Sequence, residues 1–176
     1  MTRLGKSAAA LAVLTLTLSQ AAEAKKKAGE CITEGEVVDL LRYSMPSVIE
    51  GVAQKCRERL SPTGFIATSA DAMIARYSEG RDQAWPGART AFAKLSDSKD
   101  SREIVDALND NALQPLVSEA ISELMVDEVK PESCSEAEHL LQATNNIAPE
   151  NFASLLGALF LLVSGPKDKD LPICEI

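Results

Sequence analysis

Four cysteines, Cys31, Cys56, Cys134 and Cys174, constrain this 176-residue chain more than any other feature. An even number of cysteines in a short exported chain reads as a disulfide framework, and four of them admit three pairings. No two lie within the C-x(2–4)-C spacing of a zinc site, and no CxxCH haem motif occurs. Two disulfides are therefore expected. The export signal is itself in the sequence. Arg3 and Lys6 precede a mostly apolar run from Ala8 to Leu18, and Ala22-Glu23-Ala24 has the small-x-small form of a cleavage site. Residues 1–24 are read as a signal peptide removed after Ala24, which places the mature chain in a periplasm or outside the cell. The apolar run, 11 residues from Ala8 to Leu18, falls short of the roughly 20 that a spanning helix needs. Residues 25–30, which include Lys25, Lys26 and Lys27, are expected to be a flexible basic N-terminus, and residues 31–176 a single helical domain.

Helix signals rank the cysteine pairings. Thr33-Glu34-Gly35-Glu36 has the form of a capping box, so a helix should begin just after Cys31 and present Val37, Val38, Leu40 and Leu41 to a core. Pro46 lacks an N–H and is expected to interrupt it. A second helix would then carry Val48, Ile49, Val52, Cys56 and Leu60 and end at Ser61-Pro62. If the chain reverses between Ser44 and Pro46, Cys31 lands beside Cys56. If the helix runs straight through Pro46, those cysteines stand roughly 37 Å apart, against a disulfide's Cα reach of about 7 Å. A fainter echo follows Cys134, with Ser135-x-x-Glu138, Leu140, Leu141 and Pro149, and both prolines stand 15 residues after their cysteines. The expected pairs are thus Cys31–Cys56 and Cys134–Cys174, and a Cys31–Cys174 link would remove both hairpins.

Between these ends the apolar spacing stays near 3.6 and no convincing alternating strand appears. Phe65, Ile66, Ser69, Ala70, Met73, Ile74 and Tyr77 share a face, and Gly80 closes that segment. Trp85-Pro86 opens a stretch with Ala88, Ala91, Phe92 and Leu95, and the polar break from Asp97 to Ser101 ends in an N-cap before Ile104, Val105 and Leu108. Pro115 suits a first helical position ahead of the stripe Leu116, Val117, Ala120, Ile121, Leu124 and Met125. The last helix, from about Pro149 to Val163, is apolar all round over Leu155 to Val163 and is expected at the centre of the bundle, with a partly exposed ligand or partner surface as the alternative. The fold expected is all-α: a compact bundle of about six to eight short amphipathic helices around an apolar C-terminal helix, with two disulfides.

Charge and chemistry narrow the function. The chain holds 18 basic and 26 acidic side chains, a net −8 that becomes −9 once the signal is removed, and this argues against a nucleic-acid partner. The deficit is local: residues 97–150 carry 13 acidic and 3 basic groups, whereas residues 25–96 carry 9 and 11. Glu119, Glu123 and Asp127 recur every fourth residue on one helix flank, where like charges repel, and no lysine or arginine lies between Arg102 and Lys130. They are the candidate contact for a basic partner. Lys55, Arg57 and Arg59 are accounted for by the dipole at a helix end. His139 is the single histidine, which removes HExxH and paired Glu-x-x-His designs, and neither a G-x-S-x-G elbow nor a D-x-D-x-D-G calcium loop occurs. No catalytic residue, cofactor or metal site is assigned. The expected function is a small exported helical protein that binds without catalysis, taking a basic protein through the acidic flank or a small apolar ligand around Phe152 to Val163. The alternatives are a hydrolase built on paired carboxylates and a stress or chaperone-like protein of the periplasm.

Overall fold

A computed structural model describes residues 31–96, 99–164 and 173–174. The signal segment and the basic N-terminus, residues 1–30, lie outside the described residues. The fold is all-α, as expected. Among the described residues seven α-helices run in order: α1 (Glu34–Cys56), α2 (Phe65–Ser78), α3 (Trp85–Leu95), α4 (Lys99–Ala107), α5 (Asp110–Glu128), α6 (Cys134–Thr144) and α7 (Pro149–Ser164). Short 3-10 turns precede α3 and α6. Among the described residues the extended pairing is a single isolated parallel bridge between Ile32 and Ile173.

The helix starts follow local chemistry. The capping box forms: the Glu36 N–H donates to Thr33 Oγ1 at 3.3 Å and the Thr33 N–H donates to Glu36 Oε2 at 2.8 Å. Gly80, at φ 69°, supplies the left-handed turn beyond α2, and Pro86 sits in the first turn of α3. Gly64 has no side chain with which to cap α2, so Glu138 of α6 reaches across and accepts from the Ile66 N–H at 3.0 Å. Two starts differ from expectation. The fourth helix begins at Lys99, ahead of the cap expected at Ser101, and α5 begins at Asp110 with Asn109 as its cap. Pro115 is therefore inside α5 and not at its first position.

The larger departure is α1. It runs unbroken for 23 residues through Pro46, so the turn expected between Ser44 and Pro46 does not form. An internal proline costs about 3 kcal/mol. The burial of Val37, Tyr43, Met45, Ile49, Val52 and Cys56 on both sides of it offsets that penalty, since tertiary packing supplies most helix stability in a folded chain. At 1.5 Å per residue the helix spans about 34 Å, which separates Cys31 from Cys56. The expected pairing is overturned for that reason. The disulfides are Cys31–Cys174, which ties the segment before α1 to the segment after α7, and Cys56–Cys134, which joins the end of α1 to the start of α6. Cys174 also donates its N–H to the Ile32 carbonyl at 3.0 Å.

The centre of the bundle is α1, not the C-terminal helix. α2, α3, α5 and α7 all pack against it. Its second half builds the main core with Ile66, Ala70, Met73 and Tyr77 of α2 and Cys134 and Leu141 of α6. Tyr43, in its first half, joins Trp85, Ala88, Val105, Leu113 and Val117. A smaller cluster of Ile32, Val37 and Ala91 lies near the Cys31–Cys174 end. α1 and α5 touch closely at Gly51, where an added Cβ would stand 2.4 Å from the Ser122 carbonyl oxygen.

Candidate functional site

The feature that sets this bundle apart is the outer face of α7. Ala153 and Gly157 turn inward, and the missing side chain at 157 lets the helix settle onto α1: an added Cβ there would stand 2.8 Å from Val38 Cγ2. Phe152 and Leu156 pack on the main core, with Phe152 edge-on to Tyr77 at 6.2 Å between ring centroids. Leu161 reaches the cluster around Val37. The opposite side faces solvent. Leu155 is 58% exposed, Leu159 52%, Leu162 81% and Val163 78%. No ionisable residue occurs from Asn151 to Ser164, so this face is apolar and uncharged over about 21 Å of helix. A monomeric domain rarely leaves such a contiguous patch bare without a use for it.

The expectation that α7 would be central is thus corrected, and its sequence-level alternative of an exposed surface is what the fold presents. The all-apolar sequence gives no direction by itself. The small pair Ala153 and Gly157, four apart, was the signal available, because only that side admits a neighbouring helix backbone closely. The same contact closes the seam between α1 and α7, so an apolar ligand would lie on the outside of α7.

The acidic flank is present as expected: Glu119, Glu123 and Asp127 are all exposed on α5. The stripe beside them divides. Val117 is buried and Ile121 and Met125 are half-buried, while Leu116, Ala120 and Leu124 face solvent next to the carboxylates. The reason is the contact at Gly51, which turns Ser122 inward and rotates the row 116–120–124 away from α1. His139 is exposed on α6 beside an exposed Leu140. Lys55 occupies the last turn of α1, and Arg57, just beyond it, pairs with Asp71 at 2.5 Å in an exposed bridge of small energetic value. Among the described residues no group of three or more His, Cys, Asp or Glu side chains has metal-binding geometry.

Two arrangements were not legible in the sequence. One is the pair Glu36 and Asp39 in the first turns of α1. Burial raises the Glu36 carboxyl, but hydrogen bonds from Lys94 and Thr33 outweigh it and hold the group below its ordinary value. Lys94 Nζ donates to both Glu36 oxygens at 2.8 Å and to the Cys31 carbonyl at 2.8 Å. Burial pushes the Asp39 carboxyl up, against the attraction of Arg42 and with the Glu36 charge adding to the rise. Opposed shifts in neighbouring carboxylates are the pattern of an acid and a base. Here, however, Glu36 is engaged by its cap and by Lys94, and Asp39 is lodged against Gly87 in the first turn of α3, where a Cβ would strike its carboxylate.

The other is a clamp between α1, α3 and α5. The Arg81 guanidinium lies 4.2 Å from the centroid of the Tyr43 ring and donates to Ser118 Oγ at 2.7 Å, and Tyr43 donates its hydroxyl to the Gln114 carbonyl at 3.1 Å. Trp85 leans on the same ring at 4.7 Å. A shallow cavity of about 310 Å³ opens beside it, lined by Asp82, Asn111 and Gln114 among others. The Arg81 charge is occupied by the Tyr43 face and Ser118, so the cluster fastens helices together.

Neither protein-family models, curated proteins nor solved structures gave a match to this chain. No helix among the described residues is long and apolar enough to cross a membrane.

Proposed function

We propose that this chain is an exported, disulfide-stapled helical protein that works by binding a partner, and that the uncharged outer face of α7 is the binding surface. The single observation that carries this reading is the bare row Leu155, Leu159, Leu162 and Val163 on a helix seated by its small residues. Two disulfides that join distant parts of the chain support an oxidising compartment, in keeping with the signal read in residues 1–24. The acidic flank on α5 is a secondary contact that would steer a basic partner and govern its salt dependence. The alternative of a carboxylate hydrolase draws no support from Glu36 and Asp39, whose carboxylates are taken up by capping and packing.

The test is site-specific photo-crosslinking in the native envelope or secreted fraction, with a benzophenone amino acid at Leu159 and, as control, at exposed Glu132. The reading expects adducts of defined mass at 159 and none at 132. Equal yields at both positions, or none at either, would overturn it.

A further inference from the structure

Resting on the reading of α7 as a binding surface, we infer that its occupant is a second copy of the same chain, seated antiparallel on α7 about a two-fold axis near Leu159. The spacing of the leucines points to self-association. Leu155, Leu159 and Leu162 are spaced four and three apart, the alternation by which one helix presents a continuous seam to another. Reversing the chain direction keeps that spacing nearly superimposable, so one patch complements itself, as an isologous interface requires. Antiparallel pairing also opposes the two helix dipoles.

Charge selects the same face. Two copies of a chain with net charge −8 repel wherever their carboxylates meet at close range. The other large exposed apolar residues have such neighbours: Leu116 and Leu124 stand beside Glu119, Glu123 and Asp127, Leu140 is on the helix of Glu136, and Ile104 is on the helix of Glu103 and Asp106. α7 has no ionisable group for about 21 Å, and its Leu159 stands about 13 Å along the helix from Glu150, more than one Debye length of about 8 Å at physiological salt. It is a place where two like-charged copies can meet with their charges held apart.

Area sets the class of interface. Leu155, Leu159, Phe160, Leu162 and Val163 together leave about three whole residues' worth of surface exposed. That is on the order of 500 Å² per copy, or roughly 1,000 Å² for a pair. This meets the ~1,000 Å² threshold of a specific interface and falls below the 2,000 Å² and more of obligate dimers. An interface of that size belongs with reversible associations and not with obligate ones.

Sedimentation velocity of the oxidised chain from about 1 to about 200 μM tests this, with circular dichroism as the check on folding. The expected result is a concentration-dependent shift from one to two chains. Leu159→Glu should raise the dissociation constant at least tenfold, and reversal of Glu119, Glu123 and Asp127 to lysine should not raise it. Leu155→Lys and Leu162→Glu should each dissociate the pair, and together restore it, because each lysine then faces a glutamate of the other copy. A dimer that survives Leu159→Glu, or a double variant that stays monomeric, overturns the seat proposed. A chain that is monomeric throughout, yet crosslinks a different protein at 159, overturns self-association and leaves the α7 surface standing. Monomer with no adduct at 159 overturns both.

Discussion

Replacing Gly51 with alanine puts two opposing effects in one experiment. In a helix interior alanine is favoured over glycine by up to about 1 kcal/mol, so propensity alone predicts a gain. At Gly51 the new Cβ would stand 2.4 Å from the Ser122 carbonyl oxygen and 2.7 Å from Met125 Cβ. Carbon and oxygen rest near 3.3–3.6 Å, so α5 must retreat by about 1 Å, and its backbone has no side-chain torsion with which to yield. Overpacking of this kind costs about 1–3 kcal/mol. Sterics wins, with a net loss of about 1–2 kcal/mol. For a chain of this size that lowers the melting temperature by roughly 2–8 °C. Gly35 is the control, since it lies in the same helix with nothing within 4 Å of an added Cβ, and Gly35→Ala should leave stability unchanged or raise it. Thermal melts followed by far-ultraviolet circular dichroism separate the two. A Gly51→Ala protein that melts at or above wild type would refute the α1–α5 packing.

Other consequences follow from the polar groups and cysteines. Glu36→Gln keeps an oxygen that can accept from the Thr33 N–H but removes the charge that pairs with Lys94, and should cost about 1–3 kcal/mol at pH 7. Because the Glu36 carboxyl is lowered from 4.5, its contribution is present above that value and lost as pH falls through the folded one, so wild type and variant should converge in acid melts. Asp39 has the opposite sign. Its raised carboxyl means that stability is lost as pH rises through the folded value, so Asp39→Asn should raise the melting temperature at pH 7, with the gain vanishing below about 3.8. A loss at pH 7 would contradict burial as the dominant cause. Replacing Cys56 and Cys134 with serine opens a link across 78 residues and should cost about 2–5 kcal/mol in chemical denaturation; an unchanged midpoint would mean the link is not formed.

What could be read from the sequence was whatever nearby residues decide. The capping box at Thr33–Glu36, the glycine stop at Gly80 and the start at Trp85-Pro86 involve partners within four residues, and each is found as expected. Pro46 and Pro115 misled because their local penalty is plain while the burial that offsets it comes from residues far along the chain. The disulfide pairing followed from the first of these and failed with it. Direction was the other gap. A helix apolar on every side, such as α7, and a stripe as wide as that of α5 do not say which edge turns inward; small residues at contact points, Gly157 on α7 and Gly51 on α1, decide it. The acidic row Glu119, Glu123 and Asp127 was legible because exposure is the default for charge. The clamp of Tyr43, Arg81 and Ser118 joins residues 37 to 75 apart, and no local pattern announces it.

α1 passes unbroken through the centre of the bundle, and α7 is consequently left outside with its leucines bare. Peptide mapping without reduction tests it most directly. Tryptic cleavage leaves Cys31 in the fragment 28–42 and Cys174 in the fragment 170–176. A continuous α1 predicts that these two fragments are joined to each other. Fragment 28–42 joined instead to the peptide that holds Cys56 would mean that the chain reverses at Pro46, and the central α1 would be contradicted.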